Sequence, residues 1–266
     1  MDEAAIHAAD LLAQRFGKTM SAAYLTALPD EPVSYEPTLV AGVWAELLGR
    51  AREEAAAEHG AVRTRLSQMG HACELRTGEA LARDLGRLAA LQARYADVAV
   101  LTRPGAEESA DPRFELVEGV LFHSGRPALV VPPDWRGQEI GKRPLLAWDA
   151  SREATRALSE ADWLIAECAS VTVLTIDAKS KAFGHGEAPG ANIAAHLQRR
   201  GLTAEVRNTF SGDGTPAQAI LDEAAKSGAD LIVMGGYHHA RLRAMMFGGA
   251  TRDILAAATV PVLMAH

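Results

Sequence analysis

Cysteine, aromatic side chains and excess positive charge are all scarce in this chain of 266 residues. Its two cysteines, Cys73 and Cys168, lie far apart and form no CxxC or Cys/His pattern, so the sequence disfavours a structural zinc site and indicates a reducing compartment. The formal net charge is -7, which argues against broad binding to nucleic acids or anionic membranes, because both require clustered Lys and Arg. We expect neither kind of partner.

Long hydrophobic runs are absent as well. No stretch approaches the ~18 apolar residues of a membrane-spanning helix. The first residues, MDEAAIHAADLLAQRF, carry acids where a secretory signal needs a basic start. With 48% hydrophobic and 23% charged residues, the composition is that of a folded globular protein, and we predict a cytoplasmic location.

The motifs that usually identify an enzyme or a phosphate-binding loop are also missing. The chain has no Walker GxxxxGK(S/T) pattern, no GxGxxG fingerprint, no GxSxG elbow, no HExxH and no evident carboxylate pair. The adjacent His238 and His239 lack the carboxylate or cysteine spacing of a metal site, so no metal is predicted. Without an identifiable catalytic base or nucleophile, the sequence favours a role other than catalysis.

What the chain does contain is an alternation of short runs rich in Val, Ile and Leu with Ala-rich stretches of helical period. This alternation predicts an α/β fold, in which parallel strands are connected through helices. In the C-terminal half the predicted strands are 144–149, 170–176, 204–208, 229–234 and 260–264. The predicted helices between them are 152–168, 191–200, 216–227 and 249–257.

The first half repeats much of this order, which predicts two tandem Rossmann-like parallel-sheet domains, 1–138 and 142–266. Its predicted elements are helix 2–16, strand 19–26, a helix within 39–70, strand 72–76, helix 81–94, and strands 97–101 and 128–131. The late elements match at an offset of 133 positions (229 minus 96, for the two Ala-Asp pairs). Earlier elements are offset by about 150, so the counterpart of strand 144–149 would fall before Met1. The first domain is therefore predicted to lack its first strand, unless the true start lies upstream or another element fills the position.

The segment from Met234 to Leu255 contains two glycine pairs, at 235–236 and 248–249. The first pair follows a predicted strand and the second opens a predicted helix. A helix N-terminus at the carboxyl ends of parallel strands suits an anionic group such as phosphate, and glycine allows its close approach. Thr251 would add a hydroxyl group, and positive charge would come from Arg241, Arg243 and Arg252. On spacing alone, a tight turn into a packed helix explains the glycines at least as well.

At these residues the chain resembles the universal stress protein family in its tandem two-domain form. Asp230-Leu-Ile-Val-Met-Gly235 and Gly248 fit the spacing of the family's nucleotide motif, whereas His238 stands at its second glycine and Gly249 replaces its Ser or Thr. Leu145-Leu-Ala-Trp-Asp-Ala-Ser151 resembles the family's first strand and its Asp-x-Ser. Further matches are the strands at 171–176 and 259–264. The resemblance covers nearly all of residues 142–266 and is weaker in the first half.

This resemblance implies a site for ATP or another adenine nucleotide in the second domain. The residues that it implies are Ala147, Asp149, Thr175, Met234, Gly235, His238, Arg241, Gly248, Gly249 and Thr251. The adenine would lie near Asp149 and the phosphates along the glycine segment. Asp149 and Ser151 are also explained as helix-capping residues. In the first domain Phe114 and Glu115 occupy the motif's Gly and Ser/Thr positions, so no nucleotide is expected there.

The function that the resemblance implies is a stress-response protein that acts as a nucleotide sensor or an interaction module. The alternative is a nucleotide-free scaffold that acts through protein contacts. In both cases the last strands of the two domains, 128–131 and 260–264, would pair, because each would otherwise expose unpaired backbone groups. This pairing would occur within one chain or in a homodimer.

Overall fold

The computed structural model describes residues 2–30, 37–70, 72–105, 111–179, 187–236 and 249–266. Within these ranges the chain forms eight α-helices and nine strands. The helices are α1 (Glu3–Phe16), α2 (Pro37–Ser67), α3 (Leu85–Ala93), α4 (Pro112–His123), α5 (Arg152–Ile165), α6 (Ala191–Arg199), α7 (Pro216–Ser227) and α8 (Gly249–Ala257). The strands are β1 (Met20–Leu28), β2 (Cys73–Leu81), β3 (Ala99–Thr102), β4 (Ala128–Val131), β5 (Pro144–Ala147), β6 (Ser170–Ile176), β7 (Thr203–Thr209), β8 (Leu231–Gly235) and β9 (Val262–Ala265).

The C-terminal half contains a complete five-stranded parallel unit. Its strand order is β9-β8-β5-β6-β7, and each neighbouring pair is parallel. Strand β5 therefore lies in the middle, between β8 and β6. The predicted α/β class is confirmed, and the predicted bounds of β6, α7 and α8 agree with the structure.

Among the described residues of the first half, no strand takes the position that β5 has in the second half. Strands β1 and β2 form a separate two-stranded parallel sheet, whereas β3 and β4 belong to the larger sheet. The predicted lack of a first strand is confirmed. Its consequence is that the sheet of the first half is divided in two.

Three elements of the first half differ clearly from the prediction. No element is predicted over residues 112–123, where the structure has α4. Asp111 caps this helix by accepting the N–H of Arg113 at 2.9 Å, and Pro112 takes the first helical position. Strand β2 also extends past the predicted end at 76 to Leu81, because it pairs with β1 along the whole length of both strands. The predicted helix 81–94 accordingly begins later, at the short 3-10 turn Ala82–Asp84.

The last strands of the two halves pair within this chain. Strand β4 is antiparallel to β9, with Ala128 opposite Met264, Leu129 opposite Leu263 and Val130 opposite Val262. The result is one seven-stranded sheet, in the order β3-β4-β9-β8-β5-β6-β7. The predicted pairing of the last strands is therefore seen in its intramolecular form.

The hydrophobic core covers both faces of the large sheet. One cluster joins the sheet to α1, α5 and α6, and the other joins it to α3, α4, α7 and α8. Both clusters contain residues from both halves of the chain. The segment between the halves is held against α1, since His7 Nε2 lies 2.9 Å from the carbonyl oxygen of Gly137 and Arg15 Nη1 donates to that of Ile140 at 2.6 Å. Among the helices that the structure describes, none combines the length and the apolar character needed to span a bilayer.

Candidate functional site

The carboxyl ends of β8, β5 and β6 meet at one edge of the sheet. Ala147, the last residue of β5, stands opposite Met234 of β8 on one side and Leu174 of β6 on the other. Gly235 and Thr175 follow directly along the two outer strands. The structure thus places four of the residues implied by the family resemblance on adjacent strands: Ala147, Thr175, Met234 and Gly235.

A strained turn follows β5 at this edge. Asp149 Oδ1 accepts the N–H of Ser151 at 3.0 Å, and Ser151 Oγ accepts the N–H of Ala154 at 3.0 Å, so Ser151 is the N-cap of α5. Ala150, between the two, has a φ of 59°. The capping explanation of Ser151 is confirmed, and Asp149 fixes the turn while its side chain remains exposed.

The end of β6 has a second strained turn. Asp177 has a φ of 50° and, with Ala150, is one of two non-glycine residues in the described ranges with a positive φ. Its carboxylate accepts the N–H of Ser211 at 3.1 Å and the hydroxyl of Ser211 at 2.5 Å. These two hydrogen bonds lower the pKa of Asp177. Strained backbone of this kind often accompanies binding sites, and here both instances lie at the same edge of the sheet.

Thr175 and Met234 are buried, so their side chains pack in the interior and do not face a ligand. The Thr175 hydroxyl is hydrogen-bonded to Asn208 Oδ1 on β7, and Thr175 is 1% exposed. Met234 packs in the cluster that includes Ile254 and Leu255 of α8. A ligand at this edge would meet these two positions through their backbone atoms.

Gly235 is in close contact with the first turn of α5. A Cβ atom at this position would lie 2.6 Å from the backbone nitrogen of Ala154 and 2.7 Å from the carbonyl carbon of Glu153. No real side chain tolerates such distances to backbone atoms. The glycine is therefore required by the packing of α5 on β8, whatever else it contributes.

Helix α8 begins at Gly249 and supplies the other side of the candidate site. A Cβ atom at Gly249 would meet no atom of the described residues within 4 Å, in contrast to Gly235. Because α8 connects the parallel strands β8 and β9, its N-terminus lies at the carboxyl end of the sheet. Thr251 lies in its first turn and is 5% exposed.

The two helix N-termini at this edge differ in charge. The turn into α5 and its first residues carry the carboxylates of Asp149 and Glu153, and Glu153 is ion-paired with Arg152 at 3.1 Å. The first turn of α8 has no acidic residue. An anionic group is therefore favoured at α8, where the helix dipole is not already neutralised by a carboxylate.

His238, Arg241 and Gly248, three further residues implied by the resemblance, lie outside the described residues. Within the described ranges, no group of three or more His, Cys, Asp or Glu side chains is arranged to hold a metal ion. Sequence reasoning missed Asn208 and Ser211, which hold the end of β6, and the buried Glu153. A polar residue at the end of an edge strand and an acid in the first helical turn are the signals that would have suggested them.

Comparisons with known proteins agree with this architecture. The family model described as "Universal stress protein family" matches residues 142–266. The chain is 16% identical to a universal stress protein from Archaeoglobus fulgidus whose crystal structure is known. The match covers 99% of this chain and 92% of that protein, with a TM-score of 0.72. No functionally curated protein matches the chain.

Two further structures cover about half of the chain. A protein of the universal stress protein family from Burkholderia pseudomallei is 23% identical. That match covers 47% of this chain and 95% of the Burkholderia protein, with a TM-score of 0.35. A universal stress protein family protein from Arabidopsis thaliana, solved with AMP bound, is 15% identical. That match covers 47% of this chain and 90% of the Arabidopsis protein, with a TM-score of 0.32. Of these three structures, the Archaeoglobus fulgidus protein alone has a TM-score above 0.5, so the fold comparison rests on it.

The matched range begins just before β5 and ends with β9, so it contains the whole five-stranded unit and the candidate site. The structural likeness extends over both halves, which agrees with a tandem arrangement. Residues 142–266 are therefore a domain of the universal stress protein family.

Proposed function

We propose that residues 142–266 bind an adenine nucleotide, ATP or a relative of it, at the carboxyl edge of β8, β5 and β6. The observation that carries this proposal is the N-terminus of α8, which has no acidic residue in its first turn and lies at the edge where both strained non-glycine turns of the described residues are found. The protein would act in the stress response as a sensor or interaction module rather than as a metabolic enzyme. A cytoplasmic location and the domain bounds 1–138 and 142–266 belong to the same proposal.

The charges at the site favour one orientation of the bound nucleotide. Phosphates would lie at the N-terminus of α8, because the backbone N–H groups of a first helical turn and the helix dipole favour an anion. The adenosine would lie towards β5 and β6, because Asp149 accepts hydrogen bonds from a ribose or an amine but repels a phosphate. His238, Arg241 and Gly248 would complete the phosphate side, as the family resemblance implies.

The first test asks whether nucleotide binds at all. Protein purified without added ligand is denatured, and the supernatant is analysed by absorbance and mass spectrometry. The same protein is titrated with ATP, ADP and AMP by calorimetry. The absence of both copurified nucleotide and saturable binding would contradict the proposal.

The second test is the substitution Gly249→Leu. Since a Cβ atom at Gly249 meets no described atom within 4 Å, we expect the fold to tolerate the larger side chain. The side chain would stand where a phosphate must approach the helix N-terminus, so we expect at least a tenfold loss of nucleotide affinity, about 1.4 kcal/mol. Calorimetric titration measures the loss, and a thermal melt checks the fold.

A matched control is Gly60→Leu in α2, which also places its new side chain in open space. This variant should bind nucleotide like the unmodified chain. Equal affinities of the Gly249 and Gly60 variants would exclude α8 as the phosphate site.

The alternative function is a nucleotide-free scaffold. It is favoured by one observation: Gly235 has a sufficient structural reason in its contact with Ala154 and Glu153. Under this alternative Gly249→Leu changes stability slightly and binding not at all, because there is no binding to change.

A further inference from the structure

The first half of the molecule has a gap between β1 and β3, which we call the strand gap. In the second half, β5 pairs with β8 on one side and β6 on the other. The counterparts of β8 and β6 in the first half are β3 and β1. Within the part of the chain that the structure describes, β3 pairs with β4 alone and β1 with β2 alone.

The backbone of β3 repeats that of β8 bond for bond. The N–H of Ala99 donates to the carbonyl of Pro127 at 3.1 Å, as the N–H of Ile232 donates to that of Pro261 at 3.0 Å. In a parallel ladder, alternate residues turn their N–H and C=O groups to opposite sides. The backbone groups of Val100 therefore point away from β4 and into the strand gap.

Residues of β3 beside the strand gap are less buried than their counterparts in β8. Val233, which corresponds to Val100, is 1% exposed and stands opposite Leu146 of β5. Val100 and its neighbour Leu101 are only half-buried. Next along β3, Thr102 is buried, and its hydroxyl has no hydrogen-bond partner. A strand in the gap would cover the exposed side chains and satisfy the backbone groups of β3.

An ion pair shows how the two sides of the gap are oriented. Lys18, just before β1, lies with Nζ 3.5 Å from Asp97 Oδ2, just before β3. The amino ends of β1 and β3 therefore lie near each other, as expected if the two strands run in the same direction. Because a lysine side chain is long, this contact is compatible with a separation of about 9.6 Å, twice the spacing of neighbouring strands.

The strand gap lies between two apolar layers. On one face Val98 and Val100 pack with α1, and on the other Leu25 and Leu101 pack in the cluster that contains α3 and α4. In the second half Leu145 and Leu146 of β5 point into the corresponding two clusters. An occupant therefore needs apolar side chains at successive positions, one for each layer.

We propose that the strand gap binds an extended apolar segment of a partner protein, which completes the sheet as a strand parallel to β1 and β3. Main-chain hydrogen bonds would give affinity and the two apolar layers would select side chains, as in other strand-addition complexes. A second copy of this chain does not fit, since all nine described strands are already paired in a sheet and a position flanked on both sides admits only a single strand.

The experiment uses the full chain and a fluorescein-labelled peptide copying residues 143–149, Arg-Pro-Leu-Leu-Ala-Trp-Asp, the segment that contains β5. We expect saturable binding by fluorescence anisotropy. A peptide with proline at the position of Leu146 should bind at least about tenfold more weakly, because it loses an N–H of the ladder. Hydrogen exchange should show the amides of Val100 and Thr102 protected on binding, whereas the amide of Ala99, already bonded to Pro127, should not change.

The protein is varied at Val100 to locate the peptide. Val100→Pro removes the N–H that faces the gap and leaves the bonds from β3 to β4 in place, so it should abolish binding. Val100→Ala keeps that N–H and should bind within a few-fold of the unmodified chain. The exchange measurement needs no variant, so it still tests the proposal if Val100→Pro does not fold.

Three results would overturn the proposal. The first is no saturable binding, or equal binding by the proline peptide. The second is an amide of Val100 that is as protected as that of Val233 in the free chain, which would mean that the gap is closed. The third is a dimer that dissociates when peptide is added, which would assign the gap to a second copy.

Discussion

Gly235 lies where the chain leaves β8, and the first turn of α5 packs directly on its Cα atom. The sequence pattern suggested that this glycine allows a phosphate to approach the backbone. The structure gives it another role, because backbone atoms of Glu153 and Ala154 already occupy the space of a side chain. Glycine at the end of this strand is thus evidence for close helix–sheet packing, and evidence for a ligand must come from Gly249.

The substitution Gly235→Ala tests this packing role. A methyl group 2.6 Å from the nitrogen of Ala154 forces α5 away from β8, and overpacking of this kind costs about 1–3 kcal/mol. We expect the melting temperature to fall by several degrees in a thermal melt. Gly236→Ala is the matched control, since its methyl group would meet Leu121 Cδ1 at 3.5 Å, an ordinary contact. An equal effect of the two substitutions would contradict the packing argument.

Helices α3 and α4 of the first half are in backbone contact through a pair of glycines. A Cβ atom at Gly119 would lie 2.0 Å from the carbonyl oxygen of Gly86, and one at Gly86 would lie 2.3 Å from that of Glu115. Neither glycine has a positive φ, so the close approach of the helices is the reason for both. Both helices contribute to the cluster in which Leu25 of β1 and Leu101 of β3 also pack.

Gly119→Ala should separate these helices and destabilise the protein by about 1–3 kcal/mol, measured by chemical denaturation. Gly60→Ala in α2 is the control for helix propensity, because its methyl group meets nothing within 4 Å. That control should be neutral or stabilising by up to about 1 kcal/mol. A stabilised Gly119 variant would show that the helices separate at no cost.

The elements of the second half were predictable because each has a clear local signal. Strand β6 is a run of β-branched residues, and α7 begins at a threonine cap followed by proline. Helix α4 was missed although Asp111 and Pro112 form the same kind of start, and it contains Gly119, a residue that is unfavourable inside a helix. That glycine is explained only by the opposite helix, a contact that no local pattern contains.

At the candidate site, the sequence placed the strand ends correctly but not the use of each side chain. Asp149 and Ser151 follow a strand, and their turn was foreseen as a cap. The burial of Thr175 against Asn208 depends on the register of β6 with β7, which is set by the whole sheet. The lack of a strand in the first half was predictable from the repeat offset, whereas the exposure of Val100 that results from it was not.

At the scale of the whole molecule, the junction of β4 and β9 makes the two halves one structural unit. Neither strand is an edge, since β3 and β8 flank them. A homodimer formed through these strands would require the junction to open. The predicted homodimer, which stays a prediction, would therefore need another surface. Both hydrophobic clusters also cross the junction. The two halves should therefore unfold together, although the sequence predicts two domains.

The substitution Leu129→Ala tests this coupling at the centre of the junction. Leu129 is 0% exposed and stands opposite Leu263, so removing its side chain leaves a cavity that costs about 2–5 kcal/mol. In differential scanning calorimetry we expect one transition, shifted as a whole to lower temperature by roughly 4–20 °C. The matched control is Leu91→Ala in the same half, at a position that is 44% exposed. Its free energy of unfolding should stay within about 0.5 kcal/mol of that of the unmodified chain. A second, unshifted transition in the Leu129 variant would show that residues 142–266 unfold independently of the first half.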